Sequence, residues 1–154
     1  MDKFEVNLKK VIQENGVKAE HLCFEQSCHS VDDAAKAANV DSEDFVKNIC
    51  MIDSSGKLIV AIVKGEDRAS TSRVAKALDL ERPRLATPDE ILEKTGFPCG
   101  GTPSFGYNAI FLMDPKVMEK EIVYSGGGSE KSLIKIPLKG MQKANNAQIV
   151  RVRK

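Results

Sequence analysis

The chain has 154 residues, 42% of them apolar and 29% charged, which fits one ordinary globular domain with a buried core. No apolar run approaches the ~20 residues that a bilayer-spanning helix needs, so a membrane role through such a helix is excluded. With 23 basic against 22 acidic side chains the formal charge is +1, without the basic excess that tracks a nucleic-acid backbone.

The first residues, Met1-Asp2-Lys3-Phe4-Glu5, mix charged and apolar side chains and form no signal peptide, so a cytoplasmic protein is expected. Asp2 caps a helix whose Phe4, Leu8, Val11 and Ile12 share a face and which Gly16 ends. Residues 19–24 read as a strand. Ser30 caps a second helix through Asp33, with Val31, Ala34, Ala35 and Ala38 as its packing side. A helical turn starts at Asp41 or Ser42, and Phe45-Val46 leads into a strand over 47–52. Ser54-Ser55-Gly56 turns the chain. Residues 58–63 form an unbroken apolar run, the mark of a central strand covered on both faces, and the two strands should pair as a hairpin. Residues 70–78 read as a helix. Thr87-Pro88-Asp89-Glu90 starts another, with a cap, a proline at the first helical position and a capping box, and Gly96 ends it. Strands follow over 109–113, 122–125, 133–136 and 148–152. This irregular alternation, with no repeat or linker, predicts an α+β fold: a single domain over 1–154 with one mixed, partly antiparallel, curved β-sheet and surrounding helices.

Two glycine-rich segments stand out, Gly100-Gly101-Thr102-Pro103-Ser104-Phe105-Gly106 and Ser125-Gly126-Gly127-Gly128. Glycine lets backbone N–H groups approach a ligand and point at an anion or a carbonyl oxygen. Lys47, opening an apolar strand before Asn48, supplies one compact positive charge for a pocket that grips phosphate or polarises an ester. The four cysteines, Cys23, Cys28, Cys50 and Cys99, contain no C-x-x-C pair and read as free thiols. His21, Cys23, Cys28 and His29 crowd one segment, but their spacing matches no common zinc module, and no metal is expected. Cys99 beside the first glycine segment has no evident base, so packing is favoured over nucleophilic use. Lys139, Lys143 and the terminal Arg151-Val152-Arg153-Lys154 read as a solvated helix face and tail, and Asp67 and Arg68 as a surface pair.

Taken in order, His29-Ser30-Val31-Asp32-Asp33-Ala34-Ala35, Lys47 at a strand start, Thr95-Gly96-Phe97 and Gly100-Gly101-x-Pro-x-x-Gly106 precede Ile122-Val123-Tyr124-Ser125-Gly126-Gly127 and Leu133-Ile134-Lys135-Ile136. This order resembles the YbaK family, the prolyl-tRNA-synthetase-associated editing domains, over about residues 4–137. The resemblance implies a trans-editing aminoacyl-tRNA deacylase that hydrolyses the ester between a wrong amino acid and the 3′-terminal adenosine of a tRNA, typically tRNA(Pro) carrying Cys, Ala or another small residue. It implies Lys47 as the essential lysine near that adenosine, backbone amides from Gly100 and Gly101 at the amino-acid end, and Ser125 and Gly126 lining the pocket. Phe24, His29, Asn48, Pro103 and Gly106 complete the implied substrate-binding set. The substrate's own ribose hydroxyl, or a cysteinyl thiol, would assist, which suits a chain with no Ser-His-Asp or Cys-His set. No cofactor is implied, and a synthetase or elongation factor is a conceivable partner. The chain departs from the family pattern at Phe24, where an aromatic hydroxyl is common, at Pro103-Ser104 in the glycine loop, and at Val46-Lys47-Asn48 in place of Phe-Lys-Thr. The alternative is a non-catalytic module of the same fold that binds an aminoacyl-adenosine or a nucleotide.

Overall fold

The structure, a computed structural model, describes residues 2–154. Helix α1 (Lys3–Glu14) begins where the Asp2 carboxylate accepts the Glu5 N–H at 2.8 Å. Strand β1 (Glu20–Cys23) is followed by α2 (Val31–Ala38), capped by Ser30. A 3-10 turn at Ser42–Asp44 delivers the chain into β2 (Val46–Ile52), which folds back as β3 (Leu58–Lys64). Helix α3 (Thr71–Leu78), β4 (Arg84–Leu85) and α4 (Pro88–Thr95) come next, the last with the full Thr87–Glu90 capping box. The remaining elements are β5 (Ile110–Met113), a 3-10 turn at Pro115–Glu119, β6 (Ile122–Gly126), β7 (Ser132–Pro137), α5 (Leu138–Asn145) and β8 (Gln148–Ile149).

The mixed α+β architecture agrees with the sequence reading. The strands, however, form two sheets where one was expected. Five pair in the order β4-β2-β3-β5-β8 and three in the order β1-β7-β6. The hairpin β6–β7 turns its free edge to β1 and never joins β5, and a single bridge between Phe45 and Tyr124 connects the sheets. The expected strand over 148–152 is confined to Gln148–Ile149: after the Val150 N–H bonds the Met113 carbonyl, the Val152 and Arg153 N–H groups turn to the Asp114 carboxylate. Helix α5 carries Lys139 and Lys143, the pair read as a helix face, while its bounds and strand β4 have no counterpart in the sequence reading. Pro137 at the α5 N-cap and the two-residue length of β4 hide both from periodicity.

Strand β3 shows why this sheet is central. All seven of its residues are buried, and alternate side chains feed different cores. Leu58, Val60 and Ile62 face the three-stranded sheet and meet Leu8, Val123, Ile134 and Ile136. Ile59, Ala61 and Val63 face the other way, toward Val74 of α3 and Val152. Each fully buried aliphatic side chain contributes about 1.5–3 kcal/mol, so this one strand secures both layers. The chain end is tied in by Asp114, whose carboxylate is fully buried and accepts from the Lys116, Val152 and Arg153 N–H groups and the Arg153 guanidinium at 2.8–3.1 Å.

Candidate active site

Strand β4 covers only Met51 and Ile52 of β2. The first half of β2 is therefore a free edge on that side, and a cavity of about 460 Å3 wraps around it, within the usual range for small-molecule sites. Alternation along β2 sends Asn48 into the gap between the sheets and Lys47 to the opposite side, yet both reach the cavity because it passes around the edge. Among the lining residues Lys47 is the sole lysine or arginine and His29 the sole histidine. The Lys47 ammonium donates to the backbone carbonyl of Asp67 at 3.0 Å, which fixes its position without neutralising it. Reading Asp67 as half of a surface pair missed this role.

Asn48, Ser104 and Ser125 form a closed polar ring beneath the cavity. Asn48 Nδ2 lies 3.1 Å from both the Thr102 carbonyl and Ser125 Oγ, which places its amide nitrogen, the donor end, toward that carbonyl. Ser104 Oγ donates to Asn48 Oδ1 at 2.7 Å. That uses its single proton, so in the 2.6 Å contact between the two hydroxyls Ser125 is the donor. The circuit runs Asn48 to Ser125 to Ser104 and back to Asn48, every proton committed. Ser104 and Ser125 are buried, and Asn145 Nδ2 supports the ring from behind by donating to the Ser104 carbonyl at 2.9 Å. Ser125 thus holds the shape of the wall and has no free proton to lose as a nucleophile. Nothing in the sequence marks Ser104 as a site residue, because the partner of its hydroxyl, Asn48, is 56 residues away.

The glycines serve two purposes. Gly100 has φ +90°, and a Cβ there would run into the imidazole of His29. Its N–H finds no acceptor among the described residues. Gly101, expected to offer an amide, does not: its N–H closes a turn onto the Pro98 carbonyl at 3.0 Å, and its carbonyl accepts from Gly128 at 2.8 Å. A Cβ on Gly126 would strike the Thr102 carbonyl, so the two glycine loops lie directly on each other. Gly127 donates to Ser132 on β7, which makes the neighbouring Gly126–Leu133 position one whose N–H and C=O point away from β7. Tyr124, two residues back on the same edge, uses that outward side to bridge Phe45. The Gly126 N–H therefore faces β2 and the cavity that Gly126 lines.

Not every expected residue arrives at the site. Gly101, Pro103 and Gly106 are absent from the lining. The Pro103 carbonyl accepts from the Tyr107 hydroxyl at 2.6 Å, and Gly106 packs on Val11 of α1. Phe24 is not a lining residue but packs behind the cavity, in the cluster of Cys28, Ala34 and Leu133, which do line it. His29 sits at the rim, more than half exposed, with Nδ1 at 3.2 Å from Glu130. Cys99 lines the cavity, but no hydrogen bond reaches its sulfur among the described residues. Cys50 behind it is pushed up to about 12 by burial and, secondarily, by Cys99, so it stays an inert thiol. All four cysteines are free.

Residues 25–144 match the family model of the aminoacyl-tRNA editing domain. The Multifunctional Ser/Thr-tRNA deacylase ProXp-y of Escherichia coli (strain K12) is 29% identical over 92 residues, which cover 56% of this chain and 55% of that protein. The Uncharacterized protein YwhH of Bacillus subtilis (strain 168) is 22% identical over 128 residues, 82% of this chain and 81% of its own length. Among solved structures, a candidate trans-editing enzyme for prolyl tRNA synthetase superposes with a TM-score of 0.91 at 21% identity, covering 100% of this chain and 99% of that one. The hypothetical protein APE2540 gives 0.87 at 24% identity, covering 96% and 99%. At such identities the structural likeness establishes the fold.

Proposed function

The chain belongs to the aminoacyl-tRNA editing domain family, and from that premise we propose that it hydrolyses the ester of a mischarged aminoacyl-tRNA in the cavity around β2. The observation that carries this reading is the convergence of Lys47, Gly100, Gly126 and the Asn48–Ser104–Ser125 ring on one small cavity with a single lysine. Lys47 binds the phosphate side of the terminal adenosine as a point charge. In this reading the N–H groups of Gly100 and Gly126, both lining the cavity, receive the oxygen that becomes negative as water attacks the ester carbonyl. The electron pair of the breaking C–O bond leaves on the ribose oxygen, which takes up a proton. An aminoacyl ester is already activated, so fixed donors and a placed water suffice, and a lost donor of this kind costs about 10²–10³ in rate.

The neutral ring sets the size and polarity of the wall, which suits a small amino acid: alanine, cysteine, or the serine and threonine that the ProXp-y relative is named for. The test is single-turnover deacylation of tRNA(Pro), tRNA(Ser) and tRNA(Thr) charged with Ala, Cys, Ser or Thr. Fast release from one or two members supports the reading. Binding of an aminoacyl-adenosine without release from any member favours the non-catalytic module.

A further inference from the structure

On the far side of the glycine loop from the cavity, the first turn of α1 meets β1. Cys23 and His21 lie two residues apart on one face of β1, and Glu5 of α1 reaches between them. Cys23 Sγ donates to Glu5 Oε1 at 2.9 Å and lies 3.6 Å from His21 Nδ1. All three ligand atoms fall within 4.8 Å of one another. The other imidazole nitrogen, Nε2, lies 2.8 Å from the Gly127 carbonyl. A carbonyl only accepts, so Nε2 carries the proton and Nδ1 presents its lone pair toward Cys23 and Glu5. A histidine whose back nitrogen is anchored to a carbonyl is the arrangement metal-binding histidines use to fix ring and tautomer.

From this geometry we propose that Glu5, His21 and Cys23 form a binding site for a divalent zinc-class ion. The set of one thiolate, one imidazole and one carboxylate is borderline-soft and suits Zn2+ over Mg2+ or Ca2+, which take oxygen ligands. The distances agree. Zn–S of about 2.3 Å and Zn–N of about 2.0–2.1 Å at a tetrahedral angle place the two ligand atoms about 3.6 Å apart. That is the Cys23–His21 separation found. The Glu5 oxygen needs to withdraw from sulfur by less than an ångström, and the thiol proton it accepts is released on binding. Cys23 is exposed, so the fourth position opens to solvent. The ion would lock α1, β1 and, through His21, the loop at Gly127 whose neighbour Gly126 lines the cavity. The site draws on two of the four residues that cluster in sequence. The fold sends the others elsewhere, Cys28 into an apolar cluster and His29 to the cavity rim.

The test uses untagged protein titrated with Co2+ as a spectroscopic stand-in for Zn2+. One equivalent should bind, with a sulfur-to-cobalt charge-transfer band that Zn2+ abolishes and Mg2+ does not. Cys23→Ser should lose the band while keeping its melting temperature without metal, since the side chain is exposed. His21→Ala should weaken binding by at least tenfold. Because that variant also loses the Gly127 contact, a second measurement is made on the wild type: Zn2+ should slow alkylation of Cys23 at least tenfold. Absence of the band, its persistence in Cys23→Ser, or alkylation indifferent to Zn2+ would overturn the proposal. None of these readouts depends on deacylation.

Discussion

Two buried polar centres divide the labour in this molecule. Asp114 is a charged centre: one carboxylate, fully enclosed, takes three backbone N–H groups and a guanidinium and thereby fastens residues 116, 152 and 153. The Asn48–Ser104–Ser125 ring is a neutral centre of the same compactness, but it borders the cavity and closes on itself. A buried charge needs a full set of fixed donors, and such a set has nothing left for a ligand. A closed neutral ring shapes a wall without adding charge, so Lys47 remains the one lysine or arginine among the lining residues and Asp32 the one carboxylate. The first centre belongs to stability, the second to the site.

The comparison can be broken from either end. The largest effect is expected from Asp114→Ala, which strands buried N–H donors and should lower stability by about 3 kcal/mol in denaturant melts, with unchanged activity per folded molecule. Next comes the ring. Ser104→Ala and Ser125→Ala should each cost about 1–2 kcal/mol and slow deacylation. The double variant should fall short of their sum by at least about 0.5 kcal/mol, because one deletion already opens the circuit; strict additivity would deny the ring.

Acid should separate the two centres as well. Burial opposes the Asp114 charge, but the Lys116, Val152 and Arg153 N–H groups and the Arg153 side chain outweigh it and hold its pKa below the ordinary value. A lowered folded pKa contributes stability that is complete above the unfolded value, about 3.9, and is lost as pH falls through the folded one. Melts in the wild type should therefore weaken below about pH 4, and those of Asp114→Ala should weaken less. The ring, which carries no titrating group, should contribute equally across that range. The smallest effect is expected from Cys99→Ala, whose deacylation rate should stay within about threefold of wild type because nothing activates that sulfur; a collapse would make Cys99 the nucleophile.

Much of this was legible in the chain, for physical reasons that differ by residue. The unbroken apolar run of β3, the Thr87–Glu90 capping box and the Ser30 cap are local signals, and each appears where local chemistry puts it. The split into two sheets was not legible, since strand pairing depends on which edge β6–β7 meets and period-two patterning carries no partner. Of the residues singled out in the sequence, His29, Lys47, Asn48, Gly100, Ser125 and Gly126 line one cavity, whereas Gly101, Pro103, Gly106 and Phe24 stand behind it. A glycine free to offer its N–H and one needed for close approach look alike in sequence. The ring was hidden because its members are separated by tens of residues, and the hold on Lys47 because a backbone carbonyl, that of Asp67, supplies it.

The central claim is that Lys47 supplies the charge on which substrate engagement depends. Its most direct test is the deacylation rate of Lys47→Ala beside its melting temperature. Loss of a charge-assisted contact worth about 1.5–3 kcal/mol should lower kcat/KM about 10- to 100-fold or more, with melting shifted by no more than a few degrees. Undiminished release by a folded Lys47→Ala variant would contradict the account.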